Sequence, residues 1–340
     1  MKTIIITGGF GMVGSNLVFS TFHHFDRIVI IDSNVRGMKS KSQQFLSQKL
    51  GKDYTDKVFV IESDVRSLSS DEVNELILGE AYFVHLADIV AGIGYVFNNQ
   101  YHILTENVTI DVAAFELALA VNVKKVVYAS TACVFNQNSQ RSIDSKVSIE
   151  KDLFPSFPES TYGWAKLYGE LAMINLFEGK NISHDVIYFH NMVGYPCDYW
   201  SDKTQVIPSI CKRILDNEYV NQENKLSVWG SGNQGRALVP VHMATDFVTN
   251  NLLQINQDDG LRRMQYGPDF CTSVGEMATK LNDISDFNQE IVFDKTKPEG
   301  DIGRSVAEQD LPFGALVLQT DIDNALLNTF NWIKENYLND

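Results

Sequence analysis

The chain has 340 residues, 44% hydrophobic and 21% charged, enough for one large two-lobed unit or two smaller domains. Its formal net charge of −15 argues against nucleic acid or an anionic membrane as partner, because both want basic patches. Cys133, Cys197, Cys211 and Cys271 lack metal-ligand spacing, the first residues run straight into a strand, and no apolar run reaches membrane-spanning length; no metal site is expected, and a reduced cytoplasmic setting is.

Lys2 to Thr7 reads as a buried strand, with Ile4, Ile5 and Ile6 in succession. Thr7-Gly8-Gly9-Phe10-Gly11-Met12-Val13-Gly14 follows, and then Val13, Leu17, Val18 and Phe22 recur at helical spacing. Strand, glycine-rich turn and helix form the context of a dinucleotide fingerprint. Gly8, Gly11 and Gly14 would permit the tight turn and the close approach of backbone to a pyrophosphate, and the helix N-terminus would meet its charge. A second strand, Arg27 to Ile31, ends in Asp32. A carboxylate there would bond the ribose hydroxyls of NAD and repel a 2′-phosphate, although Arg36 could accommodate NADP. NAD is the expected cofactor.

The alternation continues with strands at Val58 to Ile61, Tyr82 to Leu86 and Lys124 to Ser130, and helices at Ser70 to Leu78 and 105 to 121, with Ser70 as a helix cap. Asp64-Val65, Leu86-Ala87 and Thr131-Ala132-Cys133 follow strand ends; His85 is read as a packing residue. Such alternation implies a doubly wound parallel sheet with ligands at the strand C-termini. Tyr162 and Lys166 stand four apart, so on a helix both leave one face. An ammonium beside a phenol favours the phenolate, which can exchange a proton with an alcohol near neutral pH.

Ser183 to Phe189 reads as a sixth strand, leading into His190 and Asn191; residues 206 to 218 and Asp321 to Tyr337 look helical. Trp229-Gly230-x-Gly232-x-Gln234-x-Arg236 precedes a returning strand at Val239 to His242, and Arg304 closes Glu299-Gly300-Asp301-Ile302-Gly303. Two guanidiniums can clamp a pyrophosphate. Trp229 is expected to pack in the core.

Taken in order, the glycine run, Asp32, Asp64-Val65, His85-Leu86-Ala87, Asn107, Ser130-Thr131 and Tyr162-x-x-x-Lys166 resemble the extended short-chain dehydrogenase/reductase family that acts on nucleotide sugars. The resemblance implies an α/β, Rossmann-like doubly wound parallel sheet with a smaller, discontinuous C-terminal substrate lobe. Residues 1–190, with a return strand near 237–242, would bind NAD, and 191–340 would mostly bind the nucleotide sugar. It also implies that Phe10, Met12, Leu86 and Ala87 lie along the cofactor, Asp64 and Val65 meet the adenine, and Thr131 holds the substrate alcohol. Asn107 would order water behind Lys166. Asn191, Arg236 and Arg304 would hold the sugar diphosphate, and the helices near 105–121 and 161–178 would form a homodimer interface.

Within that family, Ala87-Asp88-Ile89-Val90-Ala91-Gly92-Ile93-Gly94-Tyr95, Ala132-Cys133, Phe189-His190-Asn191 and Pro298-Glu299-Gly300 with Arg304 are most similar to the GDP-mannose 3,5-epimerases. That likeness places Gly92 and Ile93 at the substrate and a proton-transferring Cys at Cys133. The partner Lys expected just before Pro208 is replaced by Gln205 or Val206, with Lys203 displaced, and the usual Arg before Asn191 is Tyr188. The expected activity is epimerisation of a GDP-hexose or GDP-heptose through transient C4 oxidation. A net C4 dehydrogenase or ketoreductase is the alternative, and a non-catalytic NAD-sensing regulator a remote one. Ala132-Cys133 in place of an Asp-Glu pair disfavours a 4,6-dehydratase.

Overall fold

A computed structural model describes residues 1–254, 260–285, 287–312 and 316–339. The framework is β1 (Lys2–Thr7), α1 (Met12–Thr21), β2 (Arg27–Ile31), α2 (Lys39–Leu50), β3 (Val58–Ile61), β4 (Glu80–His85), α3 (Gln100–Ala120), β5 (Lys125–Thr131), α4 (Thr161–Phe177), β6 (Ser183–Phe189), α5 (Val241–Leu252) and β7 (Leu261–Tyr266). The seven strands form one sheet in the order β7-β6-β5-β4-β1-β2-β3, and every pairing is parallel. Because helices cover both faces, the central strands are apolar on both sides, and Ile4, Ile5 and Ile6 are each fully buried. Leu17, Val18, Phe45 and Val248 pack one face; Phe115, Met173 and Phe177 pack the other.

Strand order reverses between β1 and β4, and a cleft opens beyond their C-terminal ends. Two chain segments differ from the expected pattern. Leu238–Pro240 pairs with Asn191–Val193 and runs straight into α5, so the strand that returns to the sheet is β7. Two arginines hide β7 in the sequence. Arg262 pairs with Asp185 at 2.7 Å and Arg263 with Glu170 at 2.7 Å, so their charges are matched at the sheet edge. The cap expected at Ser70 is Ser69, which accepts from Glu72 N, and that helix stops at Asn74.

The later chain adds smaller ladders, Lys225–Trp229 with Glu290–Asp294, Gly235–Arg236 with Thr272–Ser273, and Ser305–Val306 with Lys146–Val147. It also adds helices Val206–Asp216, Val274–Ser285 and Gln319–Asn339. Ile210, Leu281 and Ile333 of these helices share one apolar cluster with Ile4 and Ile6. They wall the far side of the cleft.

Candidate active site

The cleft, of about 720 Å³, is lined at one end by Gly8, Phe10, Gly11, Met12, Gly14, Asp32, Asp64, Val65, Leu86 and Ala87. Gly8 has φ +70°, and a Cβ there would lie 2.9 Å from Ala87 N. A Cβ on Gly14 would meet the Gly8 carbonyl and stand 2.6 Å from Gly9 Cα. Both positions therefore require glycine, and together they leave backbone exposed where α1 begins. Asp32 accepts from Phe10 N at 2.9 Å and Asn34 N at 2.8 Å, which fixes its carboxylate at the end of β2. Burial pushes its acid up, and those two backbone hydrogen bonds oppose the rise. Asp64 is tied to Arg66 at 2.6 Å, which holds its carboxyl below the ordinary range. Arg36 reaches across the cleft to the Val90 carbonyl. Ser130 Oγ, at the end of β5, is buried without a protein hydrogen-bond partner. A glycine cradle, a fixed carboxylate and an orphaned hydroxyl fit a dinucleotide.

At the centre of the cleft stand Thr131, Cys133, Tyr162 and Lys166. Thr131 Oγ1 accepts from Cys133 N at 3.2 Å, so its own hydroxyl hydrogen is free to donate. Gly163 brings α4 against the Cys133 carbonyl, a contact that any Cβ there would prevent. Lys166 is buried and forms an ion pair with Asp88, with its ammonium 4.6 Å from the centre of the Tyr128 ring. The Tyr162 phenol lies well above its ordinary value, the reverse of the direction its spacing from Lys166 suggests. Burial is the main cause, then the neighbouring Asp88, Cys133 and Asp111, with Arg36 opposing.

Residues 4–263 match the model of the NAD dependent epimerase/dehydratase family. The chain belongs to that family. Its cofactor is accordingly NAD. Among curated proteins it is similar to GDP-mannose 3,5-epimerase 1 of Oryza sativa subsp. japonica, at 25% identity over 98% of this chain and 82% of that one. It is also similar to GDP-L-colitose synthase of Yersinia pseudotuberculosis, at 22% identity over 97% and 92%. Among solved structures it shares the fold of UDP-glucuronic acid 4-epimerase from Bacillus cereus, crystallised with UDP-glucuronic acid and NAD. The TM-score is 0.79, with 19% identity and coverage of 99% of this chain and 100% of that one.

This family member carries a buried polar cluster beneath the tyrosine that sequence spacing did not reveal. His85 contacts Thr7 Oγ1 at 2.6 Å and Asp111 at 2.8 Å, and Tyr128 donates to Asp111 at 2.6 Å. Burial brings His85 down to about 3, so it is a neutral packing residue. Burial raises Asp111 to about 6 and, with Asp111 adding to it, raises Asp88 to about 7, against the pull of Lys166. Asn107 does not line the cleft. Its side chain is engaged by Ile89, accepting from N at 2.8 Å and donating to O at 3.2 Å. The group that meets Lys166 is Asp88, whose position directly after Leu86-Ala87 was the available signal.

At the other end, Gly92, Ile93, Asn191, Arg236 and Arg304 all line the cleft. Arg236 donates to the carbonyls of Asp301 at 2.8 Å and Glu299 at 3.1 Å. Arg304 is less free than a clamp requires. It donates to Cys133 Sγ at 3.0 Å, Asp301 at 2.8 Å and Gln140 at 3.2 Å. Burial works against its charge, but Cys133, Asp301 and Glu159 outweigh that and raise it. Gln234 Oε1 is buried and unpartnered on the same wall. Trp229 is exposed at the cleft, not in the core. Burial takes His190 down to about 4; it contacts Gln265 at 3.1 Å and is a neutral packing group. No cluster of metal-binding side chains occurs among the described residues, and none of their helices is long and apolar enough to cross a membrane.

Proposed function

We propose that this protein epimerises a nucleotide-activated hexose or heptose, GDP-linked, through transient oxidation at C4. One observation carries the reading: a single cleft holds a dinucleotide cradle at one end, Thr131 and Tyr162 at its centre, and Cys133 under Arg304 beside them. Thr131 donates to the C4 hydroxyl, and Tyr162 takes that hydroxyl's proton and later returns it. Lys166 is held beneath the tyrosine by Asp88, and its charge acts on the phenol to the extent that Asp88 is protonated. Bound NAD supplies the redox chemistry, accepting and giving back a hydride. A carbonyl at C4 acidifies the protons on C3 and C5. Cys133 exchanges a proton at one of these carbons, and the guanidinium on its sulfur stabilises negative charge developing there.

The choice of GDP rests on the similarity to GDP-mannose 3,5-epimerase; Arg236, Asn191 and Gln234 would hold the diphosphate and sugar. One observation favours the alternative of a net C4 dehydrogenase: the position of the second proton-transferring residue carries Gln205 or Val206, at the start of a helix. Incubation with a panel of GDP-, UDP- and dTDP-sugars, with products identified by mass and NMR, tests the reading. An inverted sugar from a GDP-linked substrate is expected. A 4-keto product that accumulates, or no turnover of any member, overturns it.

The reading extends to assembly. Trp164, Tyr168 and Leu171 are exposed along α4, and Tyr101 on α3 is 82% exposed. An apolar outer face on a helix pair suits a C2 homodimer that buries the same patch twice. Light scattering at micromolar concentration should give twice the chain mass; a monomer mass contradicts it.

A further inference from the structure

In the sheet, β1 lies between β4 and β2. The loop after β1 carries the glycine cradle, so the loops after β2 and β4 stand on either side of it. Two strand spacings, about 10 Å, separate these flanking loops. One side chain crosses that gap. Arg36, from the loop after β2, donates to the carbonyl of Val90, in the loop after β4. The bond therefore passes across the end of β1, in front of the glycines.

Both ends of the bond are held. Asp32 accepts from Asn34 N at 2.8 Å, and the Asn34 carbonyl accepts from Gly37 N at 2.9 Å. Asn34 and Gly37 have φ +52° and +67°, so the chain turns tightly between them. Val35 is left 78% exposed, while the Arg36 side chain turns into the cleft. On the other rim, Ile89 is fixed through both of its backbone groups by Asn107, which seats the adjoining Val90 carbonyl. The same loop is pinned again at Gly92, whose N–H donates to the Lys203 carbonyl at 3.2 Å. A Cβ on Gly92 would stand 2.6 Å from the Thr204 carbonyl oxygen, so the pin requires glycine. Asp198 secures that third segment by accepting from Trp200 N at 3.1 Å and Ser201 N at 3.0 Å. Its charge faces Arg36, as do Tyr162, Asp32 and Tyr95, and together they offset part of what burial takes from the guanidinium.

We propose that Arg36 is the gate of the cofactor site: its bond to Val90 closes a strap over the glycine cradle, and the dinucleotide enters and leaves only when that bond opens. The proposal concerns NAD alone and does not rest on the epimerase reading. It gives Arg36 a different task from accommodating the 2′-phosphate of NADP, because the guanidinium is committed to the opposite rim. A single hydrogen bond from a charged donor slows exchange without stopping it. Slow exchange suits a redox-neutral cycle, in which reduced nicotinamide must stay until its hydride is returned.

The test compares wild type, Arg36→Met and Arg36→Lys as full-length proteins. Stopped-flow nicotinamide fluorescence follows NADH and NADPH entering the site and, in a chase with excess NAD, leaving it. Arg36→Met keeps the length of the side chain and removes its donors. Its entry and release rates for NADH should both rise, by roughly 10- to 100-fold, the effect of losing one charge-assisted hydrogen bond from the closed state. Affinity should change by less than either rate. Arg36→Lys, with the charge on a shorter reach, should fall between the two. NAD that accompanies wild type through gel filtration should be lost from Arg36→Met, with the melting temperature of the NAD-saturated protein preserved. Faster release with unchanged entry, and affinity lower by the same factor, would make Arg36 a ligand of the bound dinucleotide and overturn the gate. A loss confined to NADPH would make it a 2′-phosphate ligand, and unchanged rates would make the bond to Val90 idle; either result overturns the gate as well. None of these readouts involves a sugar, so the gate and the epimerase reading stand or fall separately.

Discussion

Asp88 and Lys166 make a buried pair. Two effects compete in Asp88. Lys166 favours the carboxylate, while burial and the nearby Asp111 favour the acid, and the balance lies with the acid, from an ordinary 3.8 to about 7. A folded state that keeps a proton the unfolded chain has released loses stability as pH rises. The loss begins above the unfolded value of 3.8 and is complete above about 7. At about 1.4 kcal/mol per unit, the shift is worth about 4 kcal/mol. Asp88→Asn removes the titration without changing the volume. Below the window the two proteins differ little in this respect; above it the variant should be the more stable by roughly that amount. Carboxyls remote from the pair titrate alike in both and cancel in the difference; Asp111, which acts on Asp88, does not. Chemical denaturation followed by tryptophan fluorescence across this pH range measures it. A difference that stays flat, or one that turns against the variant as pH rises, would falsify the reasoning, because it would mean that the ion pair with Lys166 overcomes burial.

Tyr162→Phe keeps the ring and removes the proton acceptor, so turnover should fall by roughly 10²–10⁴-fold while NAD still binds by calorimetry; turnover near wild type places the active site elsewhere. Asp32→Ala removes a carboxylate anchored by two backbone hydrogen bonds, and NADH affinity should drop while discrimination against NADPH weakens. Tighter binding of NADPH than NADH by wild type contradicts that assignment. Gly14→Ala forces a methyl onto the backbone of Gly8 and Gly9, a strain of about 1–3 kcal/mol or more, so a lower melting temperature and weaker NAD binding are expected together. An unchanged melting temperature and affinity would show that the loop has room.

The nucleotide end of the site was legible because its signals are local. β1, β2, β3 and β6 fall where runs of Ile and Val put them, and the glycines and Asp32 sit at fixed offsets from those strands. α2 was not anticipated, since it is polar and buries little beyond Ser42, Phe45 and Leu46. β7 was hidden by arginines whose partners, Asp185 and Glu170, lie far away in sequence. The same reason concealed the chemistry. Lys166 meets Asp88, and Arg304 meets Cys133, only once the chain is folded. No periodicity in the chain encodes such meetings. The spacing of Tyr162 and Lys166 gave their shared helix face correctly but not the burial of the phenol, which with the neighbouring Asp88, Cys133 and Asp111 reverses the expected direction.

Transient oxidation at C4 is the central claim, and it can be watched within one turnover. Protein loaded with NAD is mixed rapidly with excess nucleotide sugar carrying hydrogen or deuterium at C4, while reduced-nicotinamide absorbance is recorded and the quenched product is analysed by NMR. The account predicts an absorbance that rises and then falls back, a slower rise with the deuterated sugar, and an inverted product that keeps its C4 label. An inverted product formed with no absorbance transient and no isotope effect would contradict it.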